Sequence, residues 1–158
     1  MKIGVVSDTH SKDLPAKMLN DFKAVDLIIH AGDFCSLEDH GKLAKIKEVK
    51  AVYGNMDDSP IRKMFPRRQV IKLGQVRIGL FHGEGAPEKI VENVMSEFKN
   101  DALDIIIFGH SHKPFNEKKG GVLYFNPGSP NDMVFAPYRS YGLIEIREKE
   151  IKAQIIKV

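Results

Sequence analysis

The chain opens on an apolar run rich in β-branched residues, Met1 to Ser7, which predicts a strand. Leu14 to Lys23 then places apolar residues at helical spacing, and Val25 to Ile29 returns to a strand pattern, so the opening has the form of a βαβ unit. A second helix is expected over about Leu37 to Ile46, followed by a strand at Val49 to Tyr53. Strands alternating with helices imply a parallel sheet covered on both faces. Beyond Pro60 and Pro66 the pattern changes. Gln69 to Leu73 and Val76 to Phe81 flank Gly74 and read as a hairpin, followed by a helix near Glu88 to Lys99 and a strand at Ile105 to Phe108. The last third alternates as antiparallel strands do: Phe115 to Lys118 and Val122 to Phe125 around Gly120-Gly121, then Tyr141 to Ile146 and Ile151 to Val158 around a turn at Glu148 to Glu150. No linker or repeat interrupts the pattern, so residues 1–158 are expected to form one α/β domain with parallel and antiparallel strands.

Composition narrows the class. With 42% hydrophobic and 28% charged residues, the chain is neither disordered nor collagen-like. Its apolar runs are only a few residues long, so no membrane span is predicted. A net charge of +3 permits phosphate-bearing partners without requiring them. The single cysteine, Cys35, rules out an internal disulfide, and the first strand begins with no leader-like region ahead of it; a cytoplasmic location is expected.

The chemistry lies at the ends of the apolar runs. VVSDTH ends with Asp8 and His10, LIIHAGD with Asp33, AVYGN with Asn55, IGLFHG with His82, and IIIFGHSH with His110 and His112. In open α/β sheets the loops after parallel strands share one edge, so these groups can converge although they are far apart in sequence. Two clustered carboxylates repel one another, and several imidazoles desolvated together resist protonation. A divalent cation resolves both problems. Carboxylate, amide and imidazole donors suit Mn²⁺, Fe²⁺, Co²⁺, Ni²⁺ or Zn²⁺ better than Mg²⁺, and so many donors exceed the need of one tetrahedral ion; two ions sharing a carboxylate is the economical arrangement.

The ordered series Asp8-Thr9-His10, Gly32-Asp33, Gly54-Asn55-Met56-Asp57, His82-Gly83 and Gly109-His110-Ser111-His112 resembles the motif set of the calcineurin-like metallophosphoesterases. The short chain and Asn126-Pro127-Gly128-Ser129 near its end most resemble the YfcE and MJ0936-type phosphodiesterases. The resemblance implies a four-layer αββα sandwich of two mixed sheets. It implies that Asp8, His10, Asp33 and His112 hold one metal, and that Asp33 bridges to a second held also by Asn55, His82 and His110. Manganese is the expected ion of both sites. Asp33, Asn55, Asp57 and His82 would form the catalytic set, with Asp57 orienting the ligands rather than binding metal. The implied reaction is hydrolysis of a small-molecule phosphodiester by a hydroxide bridging the metals, and a homodimer is compatible with the resemblance. One position departs from the pattern: many relatives carry histidine after the asparagine of the GN motif, whereas Met56 cannot supply a proton to the leaving group. A preference for good leaving groups follows.

Plainer readings apply elsewhere. His30, inside an apolar run, is expected to be structural; His40 is expected to be solvated; Cys35 reads as a reduced packing residue. Gly128 and Ser129 fit either a phosphate contact or a strand-ending turn. The basic residues Arg62, Lys63, Arg67 and Arg68 around Met64, Phe65 and Pro66 read as a solvated loop, with nucleic acid or a second subunit as the alternative partner. A non-catalytic scaffold of the same fold, resembling the retromer subunit, is the alternative to an enzyme.

Overall fold

The computed structural model describes residues 1–158. Its elements run β1 (Lys2–Val6), α1 (Ala16–Lys23), β2 (Leu27–His30), α2 (Leu37–Ala44), β3 (Val49–Ala51), α3 (Ser59–Met64), β4 (Arg68–Leu73), β5 (Val76–Phe81), α4 (Ile90–Glu97), β6 (Ile105–Ile107), β7 (Phe115–Lys119), β8 (Val122–Asn126), β9 (Ser140–Arg147) and β10 (Glu150–Lys157). The strands form two five-stranded sheets, ordered β10-β9-β1-β2-β3 and β4-β5-β6-β8-β7. In the first, β1, β2 and β3 are parallel while β9 and β10 continue the sheet antiparallel. In the second, β5, β6 and β8 are parallel between antiparallel edges β4 and β7.

Alternation along the strands builds the layers. Ile3, Val5 and Ile29 point from the first sheet into a core shared with Ile78, Leu80, Ile105, Ile107 and Phe125 of the second. The opposite face, with Val6, Ile28 and Ala51, packs on Met18 and Phe22 of α1, Leu43 of α2 and Ile61 of α3. On the far side of the second sheet, Phe81, Ile106, Phe108 and Tyr124 cover Ile90 and Val94 of α4 and Phe98 just beyond it. Each sheet therefore has two apolar faces, and helix, sheet, sheet and helix stack as the expected αββα sandwich. Each fully buried aliphatic or aromatic side chain in these layers contributes roughly 1.5–3 kcal/mol.

The region after Pro60 corrects one expectation. The basic segment read as a solvated loop begins instead as helix α3, whose cap is the Asp58 carboxylate accepting from the Ile61 N–H at 3.0 Å. Six residues are too few for helical periodicity to show in the sequence. Its arginines are also engaged within the chain. Arg67 pairs with Glu84 and Glu97, Arg68 with Glu97 and Asp101, and their guanidinium groups lie over the rings of Phe81 and Phe98. The helix expected near Glu88 to Lys99 is a single 3₁₀ turn, Pro87–Lys89, leading into the shorter α4.

Candidate metal centre

The parallel strands of both sheets end at one edge of the sandwich, and the loops that follow them touch. The N–H of Asp8 donates to the Gly32 carbonyl at 3.0 Å and that of Gly109 to the His82 carbonyl at 3.0 Å. Their backbone is tightly bent: of the eight non-glycine residues with positive φ, seven are Asp8, His10, Ser11, Asp33, Cys35, His110 and His112. Left-handed backbone costs such residues about 1–3 kcal/mol each, and its concentration here marks a functional site. Close approach also explains two glycines. A Cβ on Gly54 would sit 2.1 Å from Asp33 Oδ1, and one on Gly109 would sit 2.0 Å from Ser7 Oγ.

Four imidazoles converge, and each has one nitrogen anchored outside the cluster. His82 Nδ1 donates to the Ala31 carbonyl at 2.7 Å, His110 Nε2 to the Gly85 carbonyl at 2.9 Å, and His112 Nδ1 to the Asp132 carboxylate at 2.6 Å. Carbonyl and carboxylate oxygens only accept, so these bonds fix the tautomers and turn the other nitrogen inward. His10 Nδ1 lies 3.4 Å from Cys35 Sγ, leaving its Nε2 inward as well. The inward nitrogens meet acceptors: His82 Nε2 is 3.3 Å from Asp33 Oδ2 and 3.2 Å from Asn55 Oδ1, and His110 Nδ1 is 3.0 Å from the same Asn55 oxygen. His112 Nε2 is 3.3 Å from Asp8 Oδ1 and 3.2 Å from His10 Nε2. Imidazole nitrogens and carboxylate oxygens crowded together in this way are stabilised by positive charge between them, whether protons or a bound cation.

Two groups have the spacing of a metal site, Asp8 with His10 and His112, and Asp8 with Asp33 and His82. Asp8 is fully buried, and its Oδ1 has no hydrogen-bond donor. Such an atom is costly unless a cation completes it, so the donor set fits a divalent metal. The local field agrees. Burial works to raise the Asp8 carboxyl, but the adjacent His112 and His82 imidazoles bring it down to about 2. Burial works to lower His82, yet the hydrogen bond to Asp33 and the charges of Asp8 and Asp33 raise it to about 9. His112 is likewise raised to about 9, against burial, by Asp8 and Asp132.

All the sequence-derived donors thus meet, with one difference in grouping. The resemblance makes Asp33 the shared carboxylate, whereas the distances place Asp8 in both groups and Asp33 in only one. The reason is local: Asp33 Oδ1 accepts from the Met56 N–H at 2.8 Å, which turns only Oδ2 toward the cluster, beside His82. Asp57 faces no substrate space. Its carboxylate accepts from the backbone N–H groups of Asp33 at 2.9 Å, Gly54 at 2.7 Å and Cys35 at 2.7 Å, tying the loops after β2 and β3 together. Arg62 secures the same loops by donating to the carbonyls of Asp57, Gly54 and Asn55.

His30 is structural: its Nδ1 accepts from the Gly32 N–H at 3.1 Å, its Nε2 lies 3.1 Å from Thr9 Oγ1, and its ring stacks on Phe34 at 3.5 Å. Full burial keeps its pKa well below the ordinary value. His40, expected to be solvated, is half-buried against Phe34 and Phe65. Burial and the carboxylates of Asp33 and Asp57 push the Cys35 thiol up to about 11, which keeps it a protonated neighbour of His10. Ser129 is fully buried and donates to the Asp8 carbonyl at 2.8 Å, so the Asn-Pro-Gly-Ser turn braces the β1 loop. The residue that sequence reasoning missed is Asp132. The only signal for it was a run of turn formers, Asn126 to Asp132, too long for a single turn.

The comparisons with known proteins bear on this centre. The family model of the calcineurin-like phosphoesterase superfamily domain matches residues 1–149. The chain belongs to this superfamily. Among its curated relatives, the probable metallophosphoesterase MJ0623 of Methanocaldococcus jannaschii is 34% identical over 163 residues, covering 100% of this chain and 82% of that protein. The phosphodiesterase MJ0936 of the same organism is 26% identical over 174 residues, covering 99% and 100%. Among solved structures, Vps29 of Entamoeba histolytica complexed with Zn²⁺ superposes with a TM-score of 0.77 at 25% identity over 99% of both chains. Membership of this superfamily supports hydrolase activity and implies divalent metal ions as the cofactor. No helix is long and apolar enough to cross a membrane.

Proposed function

We propose that the protein is a dinuclear metal-dependent phosphodiesterase. The observation that carries this reading is the buried, unpartnered Asp8 Oδ1 lying between two sets of inward-facing donors. Asp8, His10 and His112 would hold one ion and Asp33, Asn55, His82 and His110 the other, with Asp8 or Asp33 shared. Bound divalent ions would supply Lewis acidity, lowering the pKa of water and offsetting charge on the phosphoryl oxygens. The chain's own contribution is preorganisation. Ala31, Gly85 and Asp132 fix the imidazole tautomers, and Asp57 and Arg62 hold the loops that carry Asp33 and Asn55. Two carboxylates against two divalent charges leave the site positive, which favours an anionic phosphoester. Met56 cannot protonate a departing alkoxide, so esters with good leaving groups are favoured.

The test is to strip the protein with a chelator, restore Mn²⁺, Co²⁺, Ni²⁺, Fe²⁺ or Zn²⁺ singly, and measure hydrolysis of aryl and alkyl mono- and diesters. Manganese is expected to restore diesterase activity, and Asp33→Asn to abolish it with the fold intact. Inactivity of every reconstituted form would reject an enzyme. The metal content of Asp33→Asn tells which carboxylate is shared: loss of both ions assigns the bridge to Asp33, and loss of one assigns it to Asp8. The Vps29 likeness supports a second reading, an interaction scaffold that keeps the metal donors; binding of metal without any turnover would favour it.

A further inference from the structure

The loop between β8 and β9 carries three consecutive exposed apolar residues, Met133, Val134 and Phe135, at 73, 80 and 70% exposure. Isolated exposed apolar residues are commonplace, but a contiguous run is not. This one is not loose. Asp132, itself 6% exposed, accepts the Val134 N–H on Oδ1 at 2.8 Å and the Phe135 and Ala136 N–H groups on Oδ2, both at 3.1 Å. The same Oδ2 holds His112 Nδ1 at 2.6 Å. One carboxylate therefore locks the loop tip to an inward-facing histidine, and the Phe135 ring stands edge-on to the His112 ring with centroids 6.1 Å apart. Val134 and Phe135, together with Met56 and Pro87, line an open cleft of about 620 Å³ whose floor includes His10, Asp33 and His112. That volume suits a small organic ligand.

We propose that this tip is a recognition element for a planar aromatic group esterified to the phosphate, with Phe135 as the contact residue and Asp132 as the positioning residue. The proposal rests on the phosphodiesterase reading and adds the class of substituent that the site selects. Two features of the cleft argue for it. With metals held by the donors on its floor, an occupant of this space would meet cationic charge at one end and an apolar wall at the other, the Phe135 ring lying 6.1 Å from that of His112. The wall is also preorganised, so a ring that stacks on it does not have to order the loop first. A protein partner docking on the tip would have no need of the donors on the cleft floor.

The effect differs from that of a missing general acid, because it acts on binding and not on departure of the leaving group. The experiment uses the manganese-loaded full chain and titrates inorganic phosphate, methyl phosphate, phenyl phosphate and adenosine 5′-monophosphate by calorimetry. Phenyl phosphate or the nucleotide is expected to bind about tenfold more tightly than methyl phosphate, the gain of one stacked ring. Whichever of the two binds better tells whether the ring is attached directly to phosphate or through a sugar. Phe135→Ala should erase that advantage while manganese affinity, read in the same titration format, stays as in the native chain; Phe135→Leu should retain part of it. Equal affinity for the methyl and aromatic phosphates on the native chain, or an advantage that survives in Phe135→Ala, overturns the proposal and leaves the tip as a docking surface for another protein. If no phosphate of any kind binds the manganese-loaded chain, the phosphodiesterase reading itself falls, and this proposal with it.

Discussion

Asp57→Asn replaces one carboxylate oxygen with an amide group at nearly constant volume, at a position where that oxygen cannot be spared. The side chain is 5% exposed and serves three backbone N–H groups, those of Asp33 and Gly54 on Oδ2 and that of Cys35 on Oδ1. In the best orientation the asparagine oxygen replaces Oδ2 and keeps two of the bonds, now to a neutral acceptor. Its NH₂ then faces the Cys35 N–H, donor against donor. An unmatched buried donor costs about 1–3 kcal/mol, and reducing two charged bonds to neutral ones costs about 0.5–1.5 kcal/mol each, so the total is roughly 2–6 kcal/mol. For a domain of this size that lowers Tm by roughly 5–20 °C.

The neighbouring carboxylate supplies the control. Asp58 makes a single cap bond to the Ile61 N–H, and asparagine caps a helix as well as aspartate does, so Asp58→Asn should cost no more than about 0.5 kcal/mol. Both variants would be melted by circular dichroism in the presence of chelator, which keeps metal occupancy out of the comparison. Manganese affinity would then be measured separately below the melting range. Asp57→Asn is expected to lose both stability and affinity, since the loops it ties carry Asp33 and Asn55. A Tm for Asp57→Asn within about 1 °C of that for Asp58→Asn would show that the three-bond arrangement does not brace the site.

Other changes reach different parts of the centre. Met56→His is expected to raise kcat for alkyl diesters by up to about 10²-fold while changing aryl diesters little, because only the poorer leaving group needs a proton; equal effects on both substrate types would contradict the assignment. Asp132→Asn should weaken manganese binding about 10–100-fold, measured by calorimetric titration, since a single amide oxygen cannot serve His112 Nδ1 and the Phe135 and Ala136 N–H groups on one side and the Val134 N–H on the other; unchanged affinity would remove Asp132 from the metal support. Manganese at about a hundred times its Kd should stabilise the native chain by roughly 2.7 kcal/mol, read as a Tm that falls by several degrees on chelation and recovers on re-addition. Gly54→Ala should abolish metal binding, because the added methyl would overlap Asp33 Oδ1 and the Asp33 backbone nitrogen; a metal-binding alanine variant would mean that the β3 loop can move aside.

The sequence shows the donors plainly and their supports hardly at all, for a physical reason. Asp8, Asp33, His82, His110 and His112 each end an apolar run, and alternation places strand ends at one edge, so their convergence follows from the βαβ pattern. What makes an imidazole a ligand is the partner of its other nitrogen, and here those partners are the carbonyls of Ala31 and Gly85 and the carboxylate of Asp132. Every residue carries a carbonyl, so no spacing or residue type marks the two that matter. Asp132 was invisible for a related reason: its partners are three N–H groups of its own loop and a ring that lies 20 residues away in sequence. Arg62 shows the same limit from the other side. As one of several basic residues near Met64 and Phe65 it reads in the sequence as part of a solvated loop, yet its donors go to the carbonyls of Gly54, Asn55 and Asp57. The identity of the ligands is thus carried by side chains, while their orientation is carried largely by backbone atoms that the tertiary fold alone brings within reach. A substitution at an anchoring position can therefore disable the centre while every donor of the motif series remains in place.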